Sequence, residues 1–174
     1  MASTNLIAVT AVGNDRPGIV SGVSRVLYES GCNLEDATST ILRGHFSMML
    51  IVAAPEEVAA GDLEMELASV AEDLALSITA RSVDEADVHV SPPTHMISVY
   101  GADQPGIVYR VTKQLAADGV NITALSSRVI GDDDPVYALM LEVAGDERIT
   151  HGVERLRQEL GMDVTVHPID SDLL

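Results

Sequence analysis

The stretch Asp15-Arg16-Pro17-Gly18-Ile19-Val20 identifies a repeat, because it occurs again 88 residues later as Asp103-Gln104-Pro105-Gly106-Ile107-Val108. At the same offset, Gly31-Cys32-Asn33-Leu34 is matched by Gly119-Val120-Asn121-Ile122. Over the twenty residues from each aspartate onward, nine positions are identical without a gap. The chain therefore contains two copies of one structural unit.

The first half of copy one has the pattern of a strand, a turn and a helix. Residues 6–12 are almost wholly apolar and predict a buried strand. Pro17 suits the first helical position, where Asp15 or a neighbour caps the free amides. Gly31 is typical of the residue that follows a helix. The apolar face of this helix is predicted from Val20, Val23 and Leu27.

The second half of each copy has two further strands, a second helix and a closing strand. Residues 33–42 and 46–53 are predicted strands joined at Arg43-Gly44, and closing strands are predicted at 77–83 and 163–167. Three methionines within strand patterns are assigned to the core: Met48, Met49 and Met140. The second helices are predicted from apolar residues at helical spacing: Leu63, Leu67, Val70 and Leu74 in copy one, and Ile149, Val153, Leu156 and Leu160 in copy two.

The element order β-α-β-β-α-β, present twice, predicts an α+β protein with two ferredoxin-like units. Each unit has an antiparallel sheet with both helices on one face. We expect domain 1 at residues 1–84, a polar linker at residues 85–94 and domain 2 at residues 95–174.

The charge balance disfavours nucleic acid and anionic membranes as partners. Ten basic and 27 acidic side chains give a formal net charge of −17, which repels nucleic acid and anionic lipid.

The single Cys32 excludes an internal disulfide framework. No basic-then-apolar leader and no uncharged stretch near the roughly 20 residues of a membrane helix are present. We expect a cytoplasmic protein without direct nucleic-acid or membrane contact.

The bend before the first helix offers chemistry suited to an amino acid. Helix amides receive a carboxylate, while the Asp15 or Asp103 side chain receives an ammonium group. The structural alternative is that Asp15 only caps the helix and Gly18 only permits tight packing. Asn33 and Asn121 have two interpretations of equal weight. Each holds an amino or carboxyl group of a ligand, or is a turn residue that tolerates left-handed geometry.

No catalytic apparatus is recognised. The five histidines do not recur between the copies and lack metal-ligand spacing. Val120 stands where copy one has Cys32, which favours a small core residue over a nucleophile at that position. The sequence predicts a protein that is no enzyme and that has neither cofactor nor metal.

Both copies resemble the ACT domain, a ligand-binding regulatory module, over about residues 6–84 and 95–168. The shared motifs are D-x-P-G-I-V before the helix and G-x-N-[LI] at the second strand. The resemblance implies amino-acid binding at the junction of two paired domains, in a homodimer or within one chain. The implied site residues are Asn14, Asp15, Arg16, Pro17, Gly18 and Asn33, and their matches Ala102, Asp103, Gln104, Pro105, Gly106 and Asn121.

The tandem pair is most similar to the glycine cleavage system transcriptional repressor group. This implies a regulator that responds to a small amino acid such as glycine or serine and acts through a DNA-binding partner protein. Many amino-acid-binding members have asparagine where this chain has Asp15 and Asp103, and Gln104 replaces Arg16, so the two sites need not be equivalent. The alternatives are an interaction adaptor that binds no metabolite and, less favoured, a detached regulatory unit of an enzyme.

Overall fold

The computed structural model describes residues 5–84, 91–131, 135–146 and 148–169. The chain divides into two units, Met1–His89 (unit 1) and Val90–Leu174 (unit 2). Residues 85–90, which make up most of the predicted linker, lie outside the described residues. Thr94, at the end of that linker, is bonded to the sheet of unit 2, since its N–H donates to the Val143 carbonyl at 2.8 Å.

The elements follow the predicted order in both units. Unit 1 contains β1 (Asn5–Asn14), α1 (Ile19–Glu29), β2 (Asn33–Leu42), β3 (His45–Ala54), α2 (Ala60–Leu74) and β4 (Leu76–Val83). Unit 2 contains β5 (His95–Ala102), α3 (Ile107–Ala117), β6 (Asn121–Ile130), β7 (Val136–Ala144), α4 (Arg148–Leu160) and β8 (Asp163–Pro168). The two antiparallel sheets have the strand orders β2-β3-β1-β4 and β6-β7-β5-β8. The predicted ferredoxin-like α+β fold is confirmed.

The helices of each unit cover one face of its sheet. In β1, Ile7, Val9 and Ala11 are fully buried, whereas the residues between them are not, as expected for a strand with one covered face. The apolar spacing predicted for the second helices is confirmed. Its residues are buried in α2 and α4, except that Leu74 is half-buried against the core.

One apolar residue of α1 does not join the core. Val20 is 52% exposed, so its predicted place on the buried face is wrong. Ile19 occupies that place and is buried together with Val23 and Leu27. Steps of four residues return to nearly the same helix face, whereas Val20 is turned about 100° from Ile19.

The methionine assignments are correct for one residue of three. Met48 is buried, but Met49 is 50% exposed and Met140 is 42% exposed. The cause is the alternation of side chains along a strand, which sends neighbouring residues to opposite faces of the sheet. Met49 and Met140 therefore lie on the face that the helices leave uncovered.

The first helix of each unit begins after a glycine in the left-handed conformation. Gly18 has φ +98° and Gly106 has φ +90°, and each occupies the N-cap position. The prediction that Pro17 begins the helix is therefore wrong, and so is the predicted cap by Asp15 or a neighbour, because the cap residue has no side chain. No atom lies within 4 Å of an added Cβ at Gly18, so backbone conformation rather than tight packing requires glycine there.

Gly31 lies directly after the C-cap residue Ser30 of the same helix, as predicted. The Gly31 N–H donates to the Tyr28 carbonyl at 3.1 Å and the Cys32 N–H donates to the Leu27 carbonyl at 2.9 Å. These two bonds form a Schellman motif, which satisfies the last carbonyls of the helix. Unit 2 repeats the motif at Gly119.

Gly13, just before the bend, is required for space. A Cβ at Gly13 would lie 2.7 Å from Leu76 Cδ2 and 2.9 Å from the Ala75 carbonyl oxygen. The matched Gly101 lies equally close to Met162, with an added Cβ at 2.8 Å from its side chain. The end of the first strand is thus held against the start of the last strand, and this contact positions the bend.

We expect Gly13→Ala to lower the free energy of unfolding by about 1–3 kcal/mol, because the added methyl overlaps a backbone oxygen. Gly61→Ala, in α2, is the matched control, since a Cβ at Gly61 meets no atom within 4 Å. It should leave stability unchanged or raise it by up to about 1 kcal/mol, because alanine favours helix. Chemical denaturation followed by circular dichroism measures both variants, and equal effects would contradict the close approach.

Replacement of Gly18 tests its conformational role. Gly18→Ala should destabilise the protein by about 1–2 kcal/mol, because a Cβ is strained in the left-handed conformation. Gly18→Asn should cost less, since asparagine adopts that conformation more readily. The comparison is made by thermal unfolding. Equal stability of the glycine, alanine and asparagine forms would show that the conformation is not required.

Candidate functional site

The bend after β1 is exposed, and its backbone is anchored. Every residue of Asn14–Gly18 is exposed. The Asp15 N–H donates to the Gly44 carbonyl at 2.9 Å, which fixes the bend to the turn between β2 and β3. No side chain of the described residues caps the first turn of α1. The free N–H groups there carry a partial positive charge that attracts an anionic group.

The bend of unit 2 has the same form, with one difference in charge. Gly106 repeats the left-handed N-cap, and α3 also begins without a side-chain cap within the described chain. Gln104 replaces Arg16, so unit 2 lacks one cation beside the bend. In both units an exposed aspartate, Asp15 or Asp103, stands near a helix end with free amides. This pair of opposite charges matches the two ends of a zwitterion.

Asn33 and the bend of unit 1 lie at opposite ends of the sheet. Asn33 is level with Leu6 of β1, because both pair with Ala53 of β3. The bend begins at Asn14, eight residues further along β1, which corresponds to about 27 Å. Asn121 has the same placement in unit 2. A single unit therefore does not bring the predicted site residues together.

The interpretation of Asn33 as a left-handed turn residue is wrong. Gly31 takes the left-handed conformation, with φ +72°, and Asn33 is the first residue of an extended strand. Asn33 Nδ2 donates to Glu35 Oε1 at 2.9 Å on the surface. Its amide keeps an acceptor oxygen and a second N–H, which suit a carboxylate or an ammonium group.

The strands that begin with these asparagines form sheet edges. β2 is exposed along its whole length, and β6 is exposed at every position but Ile122. The opposite edges are partly covered by helix side chains. Glu64 accepts a hydrogen bond from the Ala80 N–H of β4 at 2.8 Å, and Arg157 donates to the Val164 carbonyl of β8 at 2.5 Å. β2 and β6 are therefore the edges available to another strand.

Two surface grooves adjoin predicted residues and were missed by sequence reasoning. In unit 1 a groove of about 320 Å³ between α1 and α2 includes Gly18 and Asp73. In unit 2 a groove of about 530 Å³ beside α3 includes Asn121 and Lys113. Lys113 Nζ lies 5.7 Å from the ring centre of Tyr109. The sequence contains one signal for the groove of unit 2, which is that Lys113 is the single lysine of the chain.

Cys32 has the properties of a core residue. It packs against the core of unit 1. Burial raises the pKa of its thiol, and the negative charge of Glu66 acts in the same direction. A thiol with a raised pKa is a poor nucleophile at neutral pH.

Metal clusters and membrane helices are both absent from the part of the chain that the structure describes. No group of three or more histidine, cysteine, aspartate or glutamate side chains there is placed to hold a metal ion. Among the described helices, none has the length and apolar character that crossing a membrane requires.

Comparison with known proteins identifies relatives of each unit and of the pair. A UPF0237 protein of Methanopyrus kandleri is 42% identical over 77 residues, which cover 44% of this chain and 86% of the relative. The glycine cleavage system transcriptional repressor of Escherichia coli is 29% identical over 128 residues, or 74% of this chain and 67% of the repressor. A phosphoserine phosphatase of Mycobacterium tuberculosis is 28% identical over 164 residues, which cover 85% of this chain but 40% of the enzyme.

The fold has a close match among solved structures. The crystal structure of a protein described as a glycine cleavage system transcriptional repressor superposes with a TM-score of 0.74 at 18% identity, over 98% of this chain and all of the other. ACT-domain family models match residues 5–81 and residues 95–161. The chain therefore belongs to the ACT-domain family and carries two ACT domains, one in each unit.

Proposed function

We propose that this chain is a non-enzymatic regulatory protein that binds a small amino acid and thereby changes its contact with a partner protein. The observation that carries the proposal is the uncapped helix N-terminus beside an exposed aspartate, which occurs at matched positions in both units. The occurrence of this arrangement in both units favours a functional role.

The ligand would be held by its two charged ends. The free amides at the start of α1 receive the carboxylate, and Arg16 adds a positive charge nearby. Asp15 receives the ammonium group. In unit 2 the start of α3 and Asp103 play the same parts, without the arginine.

A complete site needs two ACT domains, because Asn33 lies far from the bend of its own unit. We propose that β2 pairs edge to edge and antiparallel with β2 of a second molecule. The start of the partner strand then lies at the Leu42 end of β2, which is the end of the sheet where the bend is. A homodimer thereby brings Asn33 of one molecule to the same end as Asp15 of the other.

The ligand's size limits its affinity. Glycine has five non-hydrogen atoms, and about 1.5 kcal/mol per atom at most gives roughly 7.5 kcal/mol, or micromolar affinity at best. A 1:99 to 99:1 shift between two states needs about 5.5 kcal/mol of differential binding. This shift would require most of the binding free energy of one glycine, so we propose that several sites act together.

The relatives and the charge support a partner of particular chemistry. The related protein of Escherichia coli is described as a transcriptional repressor of the glycine cleavage system. With a net charge of −17, this chain would repel DNA itself but attract a basic surface. We therefore propose glycine or serine as the ligand and a DNA-binding regulator protein as the partner.

A second candidate function is an adaptor that binds a protein and no metabolite. The wholly exposed edge strand β2 favours it, since an unpaired edge binds a partner strand without any ligand. The two candidates differ in whether the aspartates of the bends matter.

We expect Asp15→Ala with Asp103→Ala to weaken glycine or serine binding about tenfold or more, because each loses a charge-assisted hydrogen bond. The control is Asp62→Ala with Glu72→Ala, which removes two exposed carboxylates from α2 and should leave binding unchanged. Isothermal titration calorimetry measures the affinities, and thermal unfolding checks that each variant is folded.

Two results of this experiment would decide against the proposal. Absence of both heat and thermal shift with glycine and serine would contradict an amino-acid sensor and leave the adaptor. Equal affinity in the bend variant and the wild type would place the ligand elsewhere on the protein.

A further inference from the structure

The uncovered face of the unit 1 sheet, called the open face below, carries few charged side chains. It consists of the residues of β1 to β4 that alternate with the buried ones. Its charged side chains are Asp36 of β2, Arg81 of β4 and Glu35, which accepts a hydrogen bond from Asn33 on this face. Asp36 and Arg81 form no ion pair with another described residue. Met49 and Val12 are about half exposed on it. Most of the other side chains on this face are serine, threonine or apolar residues. In a chain of net charge −17, a face with so few charges suits contact with another protein surface.

Asp36 and Arg81 of the open face lie in one row across the sheet. Asp36 pairs with Ile51 of β3, Ile51 pairs with Ala8 of β1, and Ala8 pairs with Arg81. The acid and the base therefore occupy opposite edges of the sheet at the same level, three strand spacings or about 14 Å apart.

This arrangement is complementary to itself. A two-fold axis parallel to the strands lays β2 over β4 of a second molecule and β3 over β1. Asp36 of each molecule then faces Arg81 of the other, so the contact contains two opposite-charge pairs. A contact of this kind, in which both molecules use the same surface, closes as a dimer.

The sizes of the central side chains fit the same rotation. Each residue of β3 faces the residue of β1 with which it is paired in the register, and every row sets a large side chain over a small one. The pairs are Ala53 with Leu6, Ile51 with Ala8, Met49 with Thr10 and Ser47 with Val12. Alternation of large and small residues lets two packed layers interdigitate.

Unit 2 also has an acid and a base in one row of its open face, with the charges exchanged between the edges and with Glu142 of β7 as a further carboxylate. Arg128 of β6 and Asp163 of β8 lie in one row, with Ala138 and Tyr100 between them.

Under the same rotation, with Met49 level with Met140, Asp36 would face His167 of unit 2 in another molecule. Arg81 and Arg128 would face Ala124 and Ser77, so neither arginine would meet a carboxylate.

A rotation about an axis perpendicular to the strands would place Asp36 against Arg128 and Arg81 against Asp163. It would also place Met49 over Met140, which sets two large side chains against each other. Size and charge together favour pairing of like with like.

We propose that the open face of unit 1 binds the open face of unit 1 in a second molecule. Four strands of about eight residues cover about 500 Å² per molecule, or about 1,000 Å² in total, which is the size of a weak specific interface. The contact differs from β2 edge pairing, since it uses side chains of the sheet face rather than the backbone of an edge strand. With both contacts, molecules associate in two separate steps.

Met49→Glu tests the contact, and Met65→Glu is its matched control. Met65 is 69% exposed on α2, so both variants add one carboxylate at an exposed methionine, but only one lies on the open face. Sedimentation velocity of the full chain at micromolar to millimolar concentration measures association. Met49→Glu should raise the dissociation constant of one association step about 100-fold or more, because an unpaired carboxylate is buried, and Met65→Glu should not change it. Identical sedimentation of both variants and the wild type would overturn the proposal.

A charge exchange tests the orientation. Arg81→Asp should weaken the same step about tenfold, because the carboxylate that it introduces faces Asp36 twice in the dimer. The double variant Asp36→Arg with Arg81→Asp should regain the wild-type dissociation constant. Failure of this rescue would overturn the two-fold arrangement. Unchanged glycine or serine titrations in Met49→Glu would confirm that the contact is separate from the ligand site, and lost binding would contradict that separation.

Discussion

Two helices can cover only one face of a four-stranded sheet, and most features of this protein follow from that constraint. In each unit the helices and the covered face form an aliphatic core. The opposite face and the edge strand are left without partners from the same unit. These are the surfaces through which we expect the protein to associate, by its strand edge in the ligand-binding pair and by its open face in a second contact.

The second constraint is the left-handed glycine before the first helix of each unit. Gly18 and Gly106 take the N-cap position and have no side chain, so the helix begins with free amides. In a protein of net charge −17, these amides are a local site for an anionic group, and the neighbouring aspartate suits a cationic one. The same backbone geometry therefore explains both the motif that the two copies share and the proposed preference for a zwitterion.

The fold could be predicted from the sequence because the repeat fixes the element order twice. The error at Val20 arose because Ile19, four residues before Val23, takes the buried position. The error at Pro17 arose because the helix begins only after the left-handed Gly18. The exposure of Met49 depends on which strand face the helices cover. The separation of Asn33 from the bend follows from strand register, which pairs residues far apart in sequence. For the same reason the alignment of Asp36 with Arg81 could not be predicted from the sequence, although both copies of the bend could.

The central claim is that the ligand contacts the bend of one ACT domain and an asparagine of another. The most direct measurement is a titration of the ¹⁵N-labelled full chain with glycine and with serine, followed by NMR. The account predicts that the backbone amide signals of Ile19, Val20 and Ser21 and the side-chain amide signal of Asn33 shift together, with one saturation curve. Shifts of the α1 amide signals alone, of the Asn33 signal alone, or of neither would contradict this claim.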